Sequence, residues 1–84
     1  MMRYEVLVEV RLRPGIADPQ GATIERALPA LGFEGISGVS VGKAFRFTVD
    51  ADSEEAAASR AGELATRLLG NPVIEDSSVQ VLVS

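Results

Sequence analysis

Cysteine, histidine and tryptophan are absent from this chain, and lysine occurs once, at Lys43. Without cysteine there is neither a disulfide framework nor a thiolate metal site. Without histidine the commonest general base and the commonest metal ligand are both missing. The serines and threonines therefore have no imidazole to activate them, which argues against nucleophilic catalysis by this chain alone. No apolar run approaches membrane-spanning length, and the N-terminus lacks the apolar core of a secretion signal. The expectation is a cytoplasmic protein with no membrane contact. A net charge of −4 also leaves no basic footprint for nucleic acid.

What is present suits one small folded domain spanning residues 1–84. The chain has 84 residues and 46% hydrophobic content, near the lower size limit for a self-sufficient core. A chain this short often completes its core by pairing with a copy of itself or with a larger partner.

Residues 3–13 alternate, with Tyr4, Val6, Val8, Val10 and Leu12 on one face and Glu5, Leu7, Glu9, Arg11 and Arg13 on the other. That is a period-2 strand with one buried face. Pro14-Gly15 ends it. Asp18-Pro19-Gln20-Gly21 then opens a helix, with Asp18 as cap and Pro19 at the first helical position, where its missing N–H is not needed. Ile24, Ala27, Leu28 and Leu31 continue at helical spacing until Gly32. Pro29 removes the bond back to the Glu25 carbonyl, so the helix end should be irregular. Gly21 costs helix stability relative to alanine, which suggests that something packs closely against it.

The stretch from Phe33 to Val41 reads as a second strand with a weak start at Gly35 and Gly38, and Gly42-Lys43 as a hairpin turn into a third strand, Ala44 to Val49. Phe45, Phe47 and Val49 belong to its core side. Asp52 or Ser53 caps a second helix whose apolar face carries Ala57, Ala58, Ala61, Leu64, Ala65, Leu68 and Leu69. Gly70-Asn71-Pro72 stops it, with Gly70 or Asn71 expected in the left-handed conformation. Val73 and Ile74 open the last strand, which continues through Val79, Val81 and Val83.

The element order is thus β-α-β-β-α-β. It predicts an α+β domain: a four-stranded antiparallel sheet with two helices on one face, in the ferredoxin-like arrangement. The other face has no helix to cover it. Leu7, Ile74 and Leu82 point there by alternation, which makes that open face the candidate surface for homo-oligomerisation.

Taken singly, the polar features have plain explanations. Glu75 and Asp76 are adjacent, so in a strand they face opposite ways and cannot work as a carboxylate pair. Lys43 beside Gly42 lacks the spacing of a phosphate loop.

Taken together they carry a resemblance. Asp18-Pro19-Gln20-Gly21, Leu28 to Phe33, Gly42-Lys43 and Leu68-Leu69-Gly70-Asn71-Pro72-Val73-Ile74-Glu75-Asp76 occur in this order along essentially the whole chain. The set resembles the PurS family, the small subunit of multi-subunit phosphoribosylformylglycinamidine (FGAM) synthase. The resemblance implies a subunit of a glutamine-dependent, ATP-consuming ligase of purine biosynthesis that carries no catalytic residue. It implies two partners, a large synthetase subunit that handles ATP and magnesium and a glutaminase subunit. The chain would bridge the two and help ammonia pass between them, with no cofactor of its own, as a homodimer or tetramer when alone. Asp18, Pro19, Gln20, Gly21, Gly42, Lys43, Asn71, Pro72, Val73, Ile74 and Glu75 become candidate subunit contacts on the same basis. Two positions depart from the family's pattern: Pro29 interrupts a helical run, and Ser77 stands where an aromatic is expected.

Three rivals share the expected strand order. A free-standing ACT-like regulatory dimer would need a ligand pocket at a subunit interface. An RNA-binding module would need exposed aromatics and a basic surface, whereas Phe45 and Phe47 share a face with Val49. An acylphosphatase-like enzyme would need an arginine in the loop after the first strand, and 14–19 has none.

Overall fold

The computed structural model describes residues 1–82; Val83, assigned above to the last strand, lies outside them. Three strands form one antiparallel sheet: β1 (Met2–Leu12), β2 (Gly42–Ala51) and β3 (Glu75–Leu82), in the spatial order β2-β1-β3. Helix α1 spans Pro19–Ala27 and α2 spans Glu54–Leu64.

The central strand carries the alternation read from the sequence. Val6 lies opposite Phe47 and Val81, and Val8 opposite Phe45 and Val79. Val6, Val8 and Val10 are fully buried. Burying each such side chain contributes about 2 kcal/mol. Helix α2 covers this face with Ala57 and Ala61, and Ala65 just beyond its end continues the line, one small residue per turn, so that helix and sheet pack closely. Ser53 caps α2, its Oγ accepting from the Ala56 N–H at 3.1 Å.

The expected strand within residues 33–41 does not form, so the sheet has three strands rather than four and there is no hairpin before β2. Gly32, Gly35 and Gly38 all have positive φ, at 87°, 78° and 70°. Three left-handed residues in so short a stretch break the pleat that a ladder requires. The backbone N–H groups find side chains instead: Val39 donates to Glu25 Oε1 at 2.9 Å, and Val41 to Asp18 Oδ2 at 2.8 Å. The segment is therefore fastened to α1.

A second correction concerns α1 itself. The two helices were expected on one face of the sheet, yet no residue of α1 belongs to the core cluster formed by the sheet and α2. Its apolar stripe is largely uncovered: Ile24 is 46% exposed, and Leu31, in the turn that follows, 70%. Pro29 acts as expected. The helix ends at Ala27, Leu28 N–H takes up the Glu25 carbonyl, and one 3₁₀ turn (Pro29–Leu31) closes on left-handed Gly32.

The shape records this excursion. The radius of gyration is 16.4 Å and the molecule measures 52 × 29 × 15 Å. A compact chain of this length would have a radius of gyration of about 12 Å. The accessible surface is 6095 Å², roughly 1,300 Å² more than a compact chain of this mass exposes. Helix, sheet and excursion make a protomer with surface to spare.

Candidate functional site

All the candidate subunit contacts gather at one end of the sheet. There β1 finishes while β2 and β3 begin: Arg11 pairs with Gly42, and Leu12 with Glu75. On the β2 side, Val41 immediately precedes the strand and is tied to Asp18, which brings Asp18-Pro19-Gln20-Gly21 beside Gly42 and Lys43. On the β3 side, the turn from Asn71 to Ile74 leads into Glu75.

The β2 side is built around Asp18. Its Oδ1 accepts from the Gly21 N–H at 2.9 Å as a helix cap, and its Oδ2 holds Val41. The Gly21 amide, then the Val41 amide, keep the Asp18 carboxyl below its ordinary value of 3.8; desolvation opposes them and the Gln20 amide adds to them. Gly21 is buried because the Val39 carbonyl lies across it, and a Cβ there would overlap that oxygen. The close approach expected at Gly21 is thus the 39–41 segment of the same chain. Pro19, Gln20, Thr23, Ile24 and Val41 line an open, mostly apolar groove.

Gly42 and Lys43 are the first residues of β2 rather than a hairpin turn. A Cβ on Gly42 would stand 2.8 Å from the Val10 carbonyl, so the strand enters the sheet where only glycine fits. Lys43 is exposed opposite Val10.

The β3 side is closed by polar bonds. The Asn71 N–H donates to Glu75 Oε1, the Val73 N–H to Asn71 Oδ1, and the Ile74 and Glu75 N–H groups to the Asn71 carbonyl. This is why Asn71 and Glu75 cluster. The helix stop differs from expectation: Gly70 is extended (φ −130°, ψ 171°), and among the described residues none other than glycine has positive φ, which excludes Asn71. A π turn over Ala65–Leu69 ends the helix instead, closed by Gly70 N–H on the Ala65 carbonyl. A Cβ at 70 would crowd Val10 Cγ1 at 3.1 Å, so glycine eases the approach of the turn to β1. Ile74 lies in the turn, not in the strand, although its carbonyl accepts from Arg13 N–H at 2.9 Å and extends the pairing with β1. Ser77 lines a cleft of about 210 Å³ with Val10, Ala65, Thr66 and Gly70.

Arg13 is the residue that sequence reading missed here. Its guanidinium donates to the Pro72 carbonyl at 2.6 Å and to the Glu75 carbonyl at 3.5 Å, and it pairs with Asp76 at 3.3 Å. A charge at the end of a strand, directly before a proline-glycine turn, gave no sign of this. Glu25 was missed likewise, because its partner Val39 was assigned to a strand.

The open sheet face is mostly polar. Leu7 and Leu82 lie on it half-buried, among the pairs Arg3–Asp50 and Arg46–Glu5, both at 3.3 Å. Ile74, the third residue expected there, is in the turn. Among the described residues no cluster of acidic groups has metal-binding geometry, and no helix is long and apolar enough to cross a membrane.

One family model covers nearly the whole chain. Residues 5–83 match PurS, phosphoribosylformylglycinamidine (FGAM) synthase. The chain belongs to the PurS family. It is 41% identical over 80 residues to the phosphoribosylformylglycinamidine synthase subunit PurS of Methanothermobacter thermautotrophicus, covering 95% of this chain and 94% of the relative. It superposes on a chain from the structure of PurLQS of Thermotoga maritima with a TM-score of 0.88 and 30% identity, covering 98% and 100%. Methanocaldococcus jannaschii PurS, one of the subunits of formylglycinamide ribonucleotide amidotransferase in the purine biosynthetic pathway, matches with a TM-score of 0.84 and 33% identity over 96% and 98%. This PurS chain is accordingly a subunit of phosphoribosylformylglycinamidine synthase, a purine-biosynthesis ligase.

Proposed function

We propose that this PurS chain bridges the ATP-dependent synthetase subunit and the glutaminase subunit of its FGAM synthase, and that it assists ammonia passage between them. The reaction is the conversion of formylglycinamide ribonucleotide, ATP and glutamine to formylglycinamidine ribonucleotide. The observation that carries this reading is the near-full-length likeness to a chain solved within PurLQS. The lack of histidine and cysteine supports a non-catalytic role in which ATP and magnesium fall to the large subunit and this chain holds no cofactor. The setting is the cytoplasm.

Self-association belongs to the same proposal, as a dimer or a tetramer. Its support is the surplus of roughly 1,300 Å², against about 800 Å² per partner in a standard interface. The uncovered stripe of α1, more apolar than the open sheet face, is its main candidate surface, with Leu7 and Leu82 secondary. The ACT-like rival loses its basis with the fourth strand and with the stacking of both helices on one face.

The test is reconstitution. Large and glutaminase subunits are combined with and without this chain, and product is measured with glutamine or ammonium chloride as nitrogen source. A selective loss of the glutamine-driven rate on omission is expected. Unchanged rates from both nitrogen sources, with no complex detected in the presence of ADP and glutamine, would overturn the proposal.

A further inference from the structure

Three chain segments meet where β1 ends, α2 ends and β3 begins, and each leaves an apolar residue in solvent: Ile16 (40% exposed), Leu68 (74%) and Val73 (78%). The turn bearing Val73 is not loose. Asn71 and Glu75 close it from within, and Arg13 ties it from outside through Pro72, Glu75 and Asp76, while Arg13 N–H bonds Ile74. The Ile16 N–H in turn bonds the Arg13 carbonyl at 3.2 Å, so one residue fixes both the 14–16 turn and the 71–76 turn. Arg13 is half-exposed, and its bond to a fixed carbonyl at 2.6 Å does nothing for the hydrophobic core. Its work is to hold a turn that presents Val73 to solvent beside two carboxylates.

We propose that Arg13 is a positioning residue that presets the 71–76 turn for docking, so that Val73 enters an apolar recess on a protein partner of different sequence. The inference rests on the bridging role proposed above and names the element that would make one of its contacts. A second copy of this chain fits the turn less well. Two-fold docking of the turn on itself would set Glu75 and Asp76 against their own copies in a chain already at −4, and like charges at close range repel. The complementary surface is an apolar recess with basic or neutral donors at its rim. Presetting matters because a turn that is ordered only on binding charges its ordering entropy to affinity.

The experiment titrates this chain into fixed large and glutaminase subunits and follows the glutamine-driven rate. It reads the half-saturating concentration and the plateau separately. Arg13→Gln should raise the half-saturating concentration about ten-fold with the plateau unchanged, as expected when preorganisation is lost but the contacts can still form. Arg13→Lys should recover part of that loss. Val73→Ser, at a site too exposed to disturb the fold, should also weaken binding, and the double variant should fall short of the product of the two single effects. Self-association measured by light scattering should not change. Should Arg13→Gln fail to fold, Asp76→Asn takes its place, with a smaller weakening expected. An unchanged half-saturating concentration in either single variant, fully multiplicative effects, or a change in self-association alone would overturn the inference. Failure of the wild-type chain to support the glutamine-driven rate would instead sink the bridging role.

Discussion

The two halves of this protomer are held by different forces. In the sheet, backbone groups pair along ladders, and Val6, Val8 and Val10 cluster with Ala57 and Ala61 of α2 and with Ala65 just after it in the buried core. In the excursion from Ile16 to Val41 the order is reversed. Carboxylates of Asp18 and Glu25 do the work of a missing strand, while Ile24, Leu31, Phe33 and Ile36 stand 46–70% exposed. The first half is stabilised by what it buries. The second keeps its shape by polar bonds and leaves much of its apolar surface uncovered.

The contrast can be tested from each side. The largest effect belongs to the core: Ala61→Leu puts a bulky side chain into the close helix-to-sheet contact and should cost about 3 kcal/mol in urea unfolding. Next comes Gly21→Ala, whose methyl must displace the Val39 carbonyl. A local loss of about 2 kcal/mol is expected, seen as faster amide exchange at Val39 and Val41 while the β1 amides stay protected.

Acid should act on the excursion through Asp18. Its folded-state carboxyl is held below 3.8, so its contribution is fully present above that value and is lost as the pH falls from there through the lowered one. The Val41 amide resonance should report this step, and Asp18→Asn should abolish it. The smallest effect on the protomer is expected from Ile24→Ser, within about 0.5 kcal/mol in unfolding because the site is exposed. The same change should nevertheless weaken self-association. A large loss of protomer stability from Ile24→Ser would erase the distinction between the halves.

The half that buries its side chains was legible from sequence; the other was not. Alternation in β1 and small-residue spacing in α2 report directly on what those elements bury, and the structure agrees with both. Asp18, Ser53 and Pro29 also act as their chemistry dictates, since caps and helix breaks are local. The strand expected within 33–41 rested on Ile36, Val39 and Val41, and it fails because Gly35 and Gly38 turn left-handed beside them. The side-chain acceptors that capture Val39 and Val41 sit 14 and 23 residues away, beyond any local pattern. The helix does stop before Gly70, but backbone handedness is not the reason: Gly70 is extended, and a Cβ there would crowd Val10. Recognition of the candidate contacts came from the order of four motifs. Their convergence on one end of the sheet needed the register of β1 with both neighbours.

The elongation of the protomer also bears on how its copies should be counted. A body of 52 × 29 × 15 Å diffuses more slowly than a sphere of equal mass and leaves a sizing column early. Elution volume alone would therefore credit a single chain with extra mass. Scattered light depends on mass and not on this outline. It is the observable by which one, two and four copies can be told apart.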